Sequence, residues 1–192
     1  FPTIDPSSPY TLTNEEYSIL VQLKNAFLNN DLLQNHIRYL FQAGQMYLTY
    51  NNNLLFHGCI PLNSDGSMSK VQIESVEYSG KSLFDILDQK VRTSWLKRYD
   101  KRNYDKDYFM SLWQGGNSPL FGKKAMKTFE RYFIADKIIR HEEMNDYFSL
   151  REDDSILKQL YDEFGIDFAK SKIINGHVPT DISVGENPIK EK

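Results

Sequence analysis

Cysteine is scarce in this sequence: Cys59 is its one cysteine among 192 residues, so no disulfide can form within the chain. We therefore expect a reducing compartment, and the cytoplasm fits best. The sequence also lacks any apolar run near the roughly 18 residues that a membrane-spanning helix requires, and it opens on no signal-peptide pattern. These absences predict a soluble protein that is neither membrane-bound nor exported.

A strong excess of charge is missing as well. The chain carries 23 Lys and Arg against 26 Asp and Glu, a formal net charge of -3. Such a balance gives no general attraction to nucleic acid or to an anionic membrane, so neither is a favoured partner. Aromatic residues, in contrast, are plentiful at 14%, with 12 Tyr and 12 Phe, and predict an aromatic-rich core. The length suits one domain or at most two small ones.

Hydrophobic spacing predicts an α/β fold that is rich in helices. Helical periodicity and capping residues favour helices over 14–29, 31–43, 83–99, 108–113, 126–133 and 153–164. Runs of β-favouring residues predict strands over 46–50, 53–60, 71–78 and 172–175. Asn51 and Asn52 tolerate the positive φ of a tight turn, so the first two strands should form a hairpin that leads into His57.

Two histidines share one kind of local sequence. His57 follows the apolar run Leu-Leu-Phe and precedes Gly58, and His177 follows Ile-Ile-Asn and Gly176. Strand ends in α/β folds project side chains into the crevice where ligands bind, and adjacent glycines let backbone and ligand come close. On spacing alone, a hydrogen-bonded structural role is the commoner explanation for such residues, and a metal site is the alternative.

Three segments of the chain resemble the Firmicutes-type (class III) fructose-1,6-bisphosphatases, in the same order and over essentially the whole chain. They are 53–63 around His57, 117–123 followed by 128–133, and 174–179 around His177 with Gly185 and Glu186 behind it. That family is similar to the calcineurin-like metallophosphatases, whose sites use Asp-x-His, Gly-Asp-x-x-Asp and Gly-Asn-His motifs and then two later histidines. The resemblance implies that His57 and His177 are those two metal ligands, on the later strands of a metallophosphatase-like sandwich.

The resemblance also implies an activity, the hydrolysis of fructose 1,6-bisphosphate to fructose 6-phosphate and phosphate in gluconeogenesis. In such sites two divalent ions about 3.5–4 Å apart activate a water and clamp the attacking and leaving oxygens. Neutral imidazoles suit manganese, iron or zinc, and we expect manganese. The chain has no Gly-Asp dipeptide and no Asp-x-His. We therefore expect a fragment that is inactive alone, with the remaining ligands upstream of Phe1 in the same polypeptide.

Basic residues are densest between the two histidines, where they would suit a sugar bisphosphate. Metallophosphatases of this type often place a phosphate-clamping arginine there, which makes Arg131 the first candidate for substrate binding. Lys123 and Lys124 are further candidates. The competing interpretation is that the run is only the solvated face of a helix.

Other polar residues receive weaker predictions. The segment His141-Glu142-Glu143-Met144-Asn145 lacks the second histidine of a zinc-protease helix, and we interpret it as a solvated helix face. Cys59 is expected to be packed rather than ligating. Asn175 either shapes the turn before His177 or contacts the site from behind the ligands.

We interpret the whole chain, 1–192, as a partial metallophosphatase domain. Its parts are a helical hairpin (1–45), a strand hairpin with the first histidine (46–63), a mainly helical insert (64–170) and a strand with the second histidine (171–192). Two rival functions stay open: a phosphatase for another phosphoester, and a non-catalytic binding or oligomerisation module. The sequence also leaves open the physiological metal, any effector, and whether the protein is a homo-oligomer.

Overall fold

A computed structural model describes residues 4–189. The predicted parts 1–45 and 171–192 include residues 1–3 and 190–192, which lie outside the described residues. The chain forms two compact units, one up to Gly44 and one from Gln45 onwards. The described residues are mixed α/β with small sheets, which agrees with the predicted class. Among residues 4–189, no helix combines the length and the apolar character needed to cross a bilayer.

The first unit contains two helices, α1 (Asn14–Leu28) and α2 (Asp31–Ala43), close to the predicted positions. Thr13 begins α1 with a reciprocal cap, because its side chain accepts from the Glu16 N–H while its own N–H donates to the Glu16 carboxylate. Asn30 begins α2 by accepting from the Leu33 N–H at 2.9 Å. None of the described residues of this unit is buried.

The second unit contains five short strands among the described residues. They are β1 (Tyr47–Tyr50), β2 (Asn53–Phe56), β3 (Val71–Ile73), β4 (Val76–Tyr78) and β5 (Ile173–Asn175). One sheet has the order β1-β2-β5, with β1 and β2 antiparallel and β2 and β5 parallel. Asn51 and Asn52 form the predicted hairpin turn with φ angles of 48° and 60°. The single strand predicted over 71–78 is wrong: Glu74 at φ 57° turns the chain, so β3 and β4 form a separate hairpin.

Five α-helices belong to the second unit in the described part of the chain, and a short 3-10 helix covers Ile182–Val184. They are α3 (Gly80–Leu96), α4 (Lys106–Gln114), α5 (Glu130–Phe133), α6 (Tyr147–Leu150) and α7 (Asp154–Phe164). Gly165 ends α7 in the left-handed conformation, as predicted for the residue after a helix. The helix predicted over 126–133 is wrong in length, since only the four residues of α5 are helical.

The core of the second unit is aromatic, as the composition predicts. Phe56 at the end of β2 packs edge-on against Phe84 of α3 and Tyr147 of α6, each with ring centroids 6.0 Å apart. Phe84 in turn packs edge-on against Phe164 of α7, with centroids 5.8 Å apart. Because Phe56 is held from two sides, the residue that follows it leaves the core at a fixed position, and that residue is His57.

A candidate metal centre at two strand ends

His57 and His177 meet because β2 and β5 are parallel neighbours. Phe56 pairs with Asn175 in the register of the two strands, so both chains leave the sheet at the same edge. His57 Nε2 lies 3.0 Å from His177 Nδ1, and the ring centroids are 5.0 Å apart. Two ligands of one metal site must lie side by side, and these histidines do end neighbouring strands with their rings close together, although they are separated by 120 positions.

The backbone around both rings is closely fitted. A Cβ atom at Gly58 would lie 2.4 Å from the Pro119 carbonyl oxygen, so the chain beside His57 requires glycine. The Asn175 side-chain N–H donates to the Gly58 carbonyl at 3.1 Å and joins the two strand ends. This bond agrees with the predicted role in which Asn175 supports the site from behind the two histidines. His177 has a φ of 64°, a left-handed conformation that is uncommon outside glycine and recurs at functional sites.

The surroundings of His177 favour its neutral form. Burial lowers the pKa of His177, and the neighbouring His57 and Lys123 lower it further, while a hydrogen bond with the Phe121 backbone acts in the opposite direction. His177 is half-buried and His57 is exposed. A neutral imidazole keeps a lone pair for a metal ion, whereas an imidazolium ion has none.

The separation of the two nitrogens fits a shared metal ion. Two nitrogens at about 2.0–2.1 Å from one ion, with an angle of 90–110° between them, lie about 3–3.5 Å apart, and the observed distance is 3.0 Å. The same distance also fits an N–H···N hydrogen bond between the rings. Among residues 4–189 no group of three or more His, Cys, Asp or Glu side chains could hold a metal. The pair can therefore supply part of a metal centre, and other ligands would have to complete it.

Cys59 does not add a thiolate to this pair. Its side chain is fully buried, and burial raises its pKa to about 12, so the thiol is protonated near neutral pH. The prediction that Cys59 is packed is confirmed.

The predicted substrate-binding residues have different surroundings. Lys123 follows Gly122, whose Cβ position would be 3.4 Å from His177 Cδ2, and Lys123 Nζ pairs with Glu142 Oε2 at 2.5 Å. Lys124 pairs instead with Glu143 at 2.7 Å and Asp146 at 3.1 Å. Arg131 is exposed on α5. The structure thus brings Lys123 to the histidines, and all three binding roles stay predictions.

Glu142 is the residue that sequence reasoning missed. The expected solvated helix face over 141–145 is wrong, because this segment is not helical and the Glu142 side chain is only 4% exposed. The pattern His-Glu-Glu carries no sign of burial. The only available signal was the lysine-rich segment around Lys123, whose ammonium could pair with a buried carboxylate.

Comparisons with known proteins agree in one family. A family model described as Firmicute fructose-1,6-bisphosphatase matches residues 1–192. The class 3 fructose-1,6-bisphosphatase of Clostridium tetani is 47% identical over 190 residues, 98% of this chain and 29% of the relative. That of Clostridium acetobutylicum is 47% identical over 192 residues, 99% of this chain and again 29% of the relative. No solved structure matches the chain. The chain thus spans about 29% of the length of these curated relatives.

Proposed function

This chain belongs to the Firmicute fructose-1,6-bisphosphatase family, and we propose that the full-length protein containing it hydrolyses fructose 1,6-bisphosphate to fructose 6-phosphate and phosphate. The observation that supports a site here is the pair of imidazole nitrogens 3.0 Å apart at two parallel strand ends. The proposed setting is gluconeogenesis in the cytoplasm. The β1-β2-β5 sheet would be the later part of a metallophosphatase-like sandwich that the rest of the polypeptide completes.

His57 and His177 are the proposed ligands of a divalent metal ion, manganese in the first instance. When bound, a pair of such ions supplies Lewis-acid charge and an activated water for phosphoester hydrolysis. The role of this chain is to hold the two imidazoles in place, through the parallel strands and the bond from Asn175 to Gly58. The bridging carboxylate and the other ligands would come from the part of the polypeptide outside this chain.

Cations of this chain are the proposed partners of the two substrate phosphates. Lys123 is the best placed of them, because the segment that carries it lies against the His177 ring. Arg131 offers a planar guanidinium that can bind two phosphate oxygens at once, and Lys124 offers a second ammonium group. The exposed position of Arg131 leaves it accessible to a ligand.

A panel of phosphoesters tests the proposed reaction. We expect the full-length protein with added manganese to release phosphate from fructose 1,6-bisphosphate with a kcat/KM at least about tenfold above that for fructose 6-phosphate and for p-nitrophenyl phosphate, a difference of roughly 1.4 kcal/mol. If the protein prefers another phosphoester, the proposed phosphatase reaction is right and the proposed substrate is wrong. An inactive protein that also binds no manganese would favour a non-catalytic binding or oligomerisation module.

Arg131 can be tested on its own. We expect Arg131→Ala in the full-length protein to lower kcat/KM at least tenfold, about 1.4 kcal/mol of transition-state stabilisation, because a phosphate-binding guanidinium would be lost. The exposed Lys137 serves as a control for the loss of one surface charge, and Lys137→Ala should change kcat/KM less than twofold. If Arg131→Ala lowers the melting temperature and leaves kcat/KM unchanged, its role is structural and it does not bind phosphate.

A further inference from the structure

Glu142 is the one charged side chain buried among residues 4–189. Burying a carboxylate is costly unless each of its oxygens finds partners, and a single ion pair seldom offsets that cost. The burial of Glu142 therefore has to be explained by the groups that its carboxylate binds.

Both oxygens of the Glu142 carboxylate are used. Oε2 accepts from Lys123 Nζ at 2.5 Å, while Oε1 accepts from the Lys127 N–H at 2.8 Å and the Thr128 hydroxyl at 2.9 Å. Burial by itself raises the pKa of Glu142, but these bonds outweigh it and lower the pKa to about 2. The carboxylate is thus ionised at neutral pH, and a negative charge is fixed beside Lys123.

The segments that carry Lys123 and Glu142 are held together by backbone hydrogen bonds. The Lys124 N–H donates to the Glu143 carbonyl at 2.8 Å, and the Asn145 N–H donates to the Gly122 carbonyl at 3.0 Å. Gly122 has a φ of 65°, and a Cβ atom at this position would lie 3.4 Å from His177 Cδ2, so the backbone here passes close to the ring. The two segments therefore form one wall beside His177, and the positive charge of Lys123 is near enough to the ring to lower the pKa of His177.

We propose that Glu142 is a positioning residue, which fixes the Lys123 ammonium group beside His177 so that it can bind a phosphate group of the substrate. This inference rests on the proposed phosphatase function and adds a residue to it. Glu142 does not bind the phosphate itself, because its own oxygens already have three donors and are enclosed by protein, and Lys123 is the cation that it holds.

Two physical effects of Glu142 oppose each other, which makes the inference testable. A free lysine loses side-chain entropy when it is immobilised, so a lysine held in advance binds its ligand with a smaller entropic cost. Against this, a carboxylate at 2.5 Å lowers the positive potential that the phosphate meets. If positioning dominates, removing the charge of Glu142 weakens phosphate binding, and if the potential dominates, it strengthens binding.

The experiment uses the full-length protein with manganese and the variant Glu142→Gln. We expect KM for fructose 1,6-bisphosphate to rise at least fivefold, with kcat within threefold of wild type, and the affinity for inorganic phosphate, measured by calorimetry, to fall by a similar factor. Glu142→Asp keeps the charge but shortens the side chain, so its KM and its phosphate affinity should lie between those of wild type and those of Glu142→Gln. Glu77→Gln, which removes the charged partner of the exposed Lys70, is the matched control and should leave KM, kcat and the affinity for inorganic phosphate unchanged.

The same substitution in a Lys123→Ala background identifies the route of the effect. There Glu142→Gln should change KM less than twofold, because the lysine that it positions is gone. An unchanged or lowered KM for Glu142→Gln, or an equal effect in both backgrounds, would overturn the inference. If Glu142→Gln fails to fold, Glu142→Asp decides by the same criteria. If wild-type protein hydrolyses no phosphoester and binds no phosphate, the proposed function and the inference are both wrong. If wild-type protein is active but the Glu142 variants do not change KM, only the inference is wrong.

Discussion

Replacing His57 or His177 by alanine in the full-length protein should lower kcat for fructose 1,6-bisphosphate by at least about a hundredfold. Residues that merely support a metal ligand cost roughly 10–100-fold in affinity or activity when they are replaced, and the loss of a ligand should reach at least the upper end of that range. Each ring supplies one nitrogen to the 3.0 Å pair, so either substitution removes one of the two ligands that this chain is proposed to give the metal ion. Phosphate release and bound manganese should therefore fall together.

His36 provides a matched control for this experiment. It is exposed on α2, in the other compact unit, and His36→Ala removes an imidazole while leaving both residues of the pair unchanged in the sequence. We expect His36→Ala to keep wild-type kcat and manganese content. Full activity of both His57→Ala and His177→Ala, in protein with an unchanged melting temperature, would show that the pair is a structural hydrogen bond and that the catalytic site lies elsewhere.

The isolated chain of 192 residues should release no phosphate from fructose 1,6-bisphosphate, even with added manganese. Two imidazoles cannot fix a two-metal centre without bridging carboxylates, and no group of three or more potential ligands occurs among residues 4–189. The measurement is a phosphate-release assay on the purified chain, with circular dichroism to show that the helices are formed and the full-length protein as the positive control.

The His57→Ala form of the isolated chain sets the background of that assay. We expect the two forms to be indistinguishable. Turnover by the isolated chain that disappears in the His57→Ala form would mean that this chain carries a complete site, and the proposed division of ligands between this chain and the rest of the polypeptide would be wrong.

The histidine pair could be predicted from the sequence because its signals are local. An apolar run, a histidine and a glycine place His57 at a strand end, and the same grouping recurs at His177. The parallel pairing of the two strands is an observation of the structure, and it agrees with the general rule that functional side chains gather at the carboxyl ends of parallel strands. The resemblance in segment 53–63 added the metal, which spacing alone does not indicate.

Glu142 could not be predicted because its partners are distant in the chain. Lys123, Lys127 and Thr128 lie 14–19 positions earlier, and only the folded backbone brings them to the carboxylate. Local periodicity treats His141-Glu142-Glu143 as a polar face, since charged residues are usually solvated.

The same contacts explain the helix that was predicted too long. Helical periodicity over 126–133 is present in the sequence, but the Lys127 N–H and the Thr128 hydroxyl donate to Glu142, and the helix begins only at Glu130. The large side chains on which the prediction depended, Phe129, Tyr132 and Phe133, are all more than half exposed. Tertiary contacts thus override local propensity beside the candidate site.

The most direct test of the account is the position of manganese in crystals of the full-length protein, located by anomalous scattering. The account predicts an ion coordinated by both His57 Nε2 and His177 Nδ1, with carboxylates from outside this chain completing its shell. An ion bound without either histidine, or the two rings hydrogen-bonded to each other while manganese lies elsewhere, would contradict it.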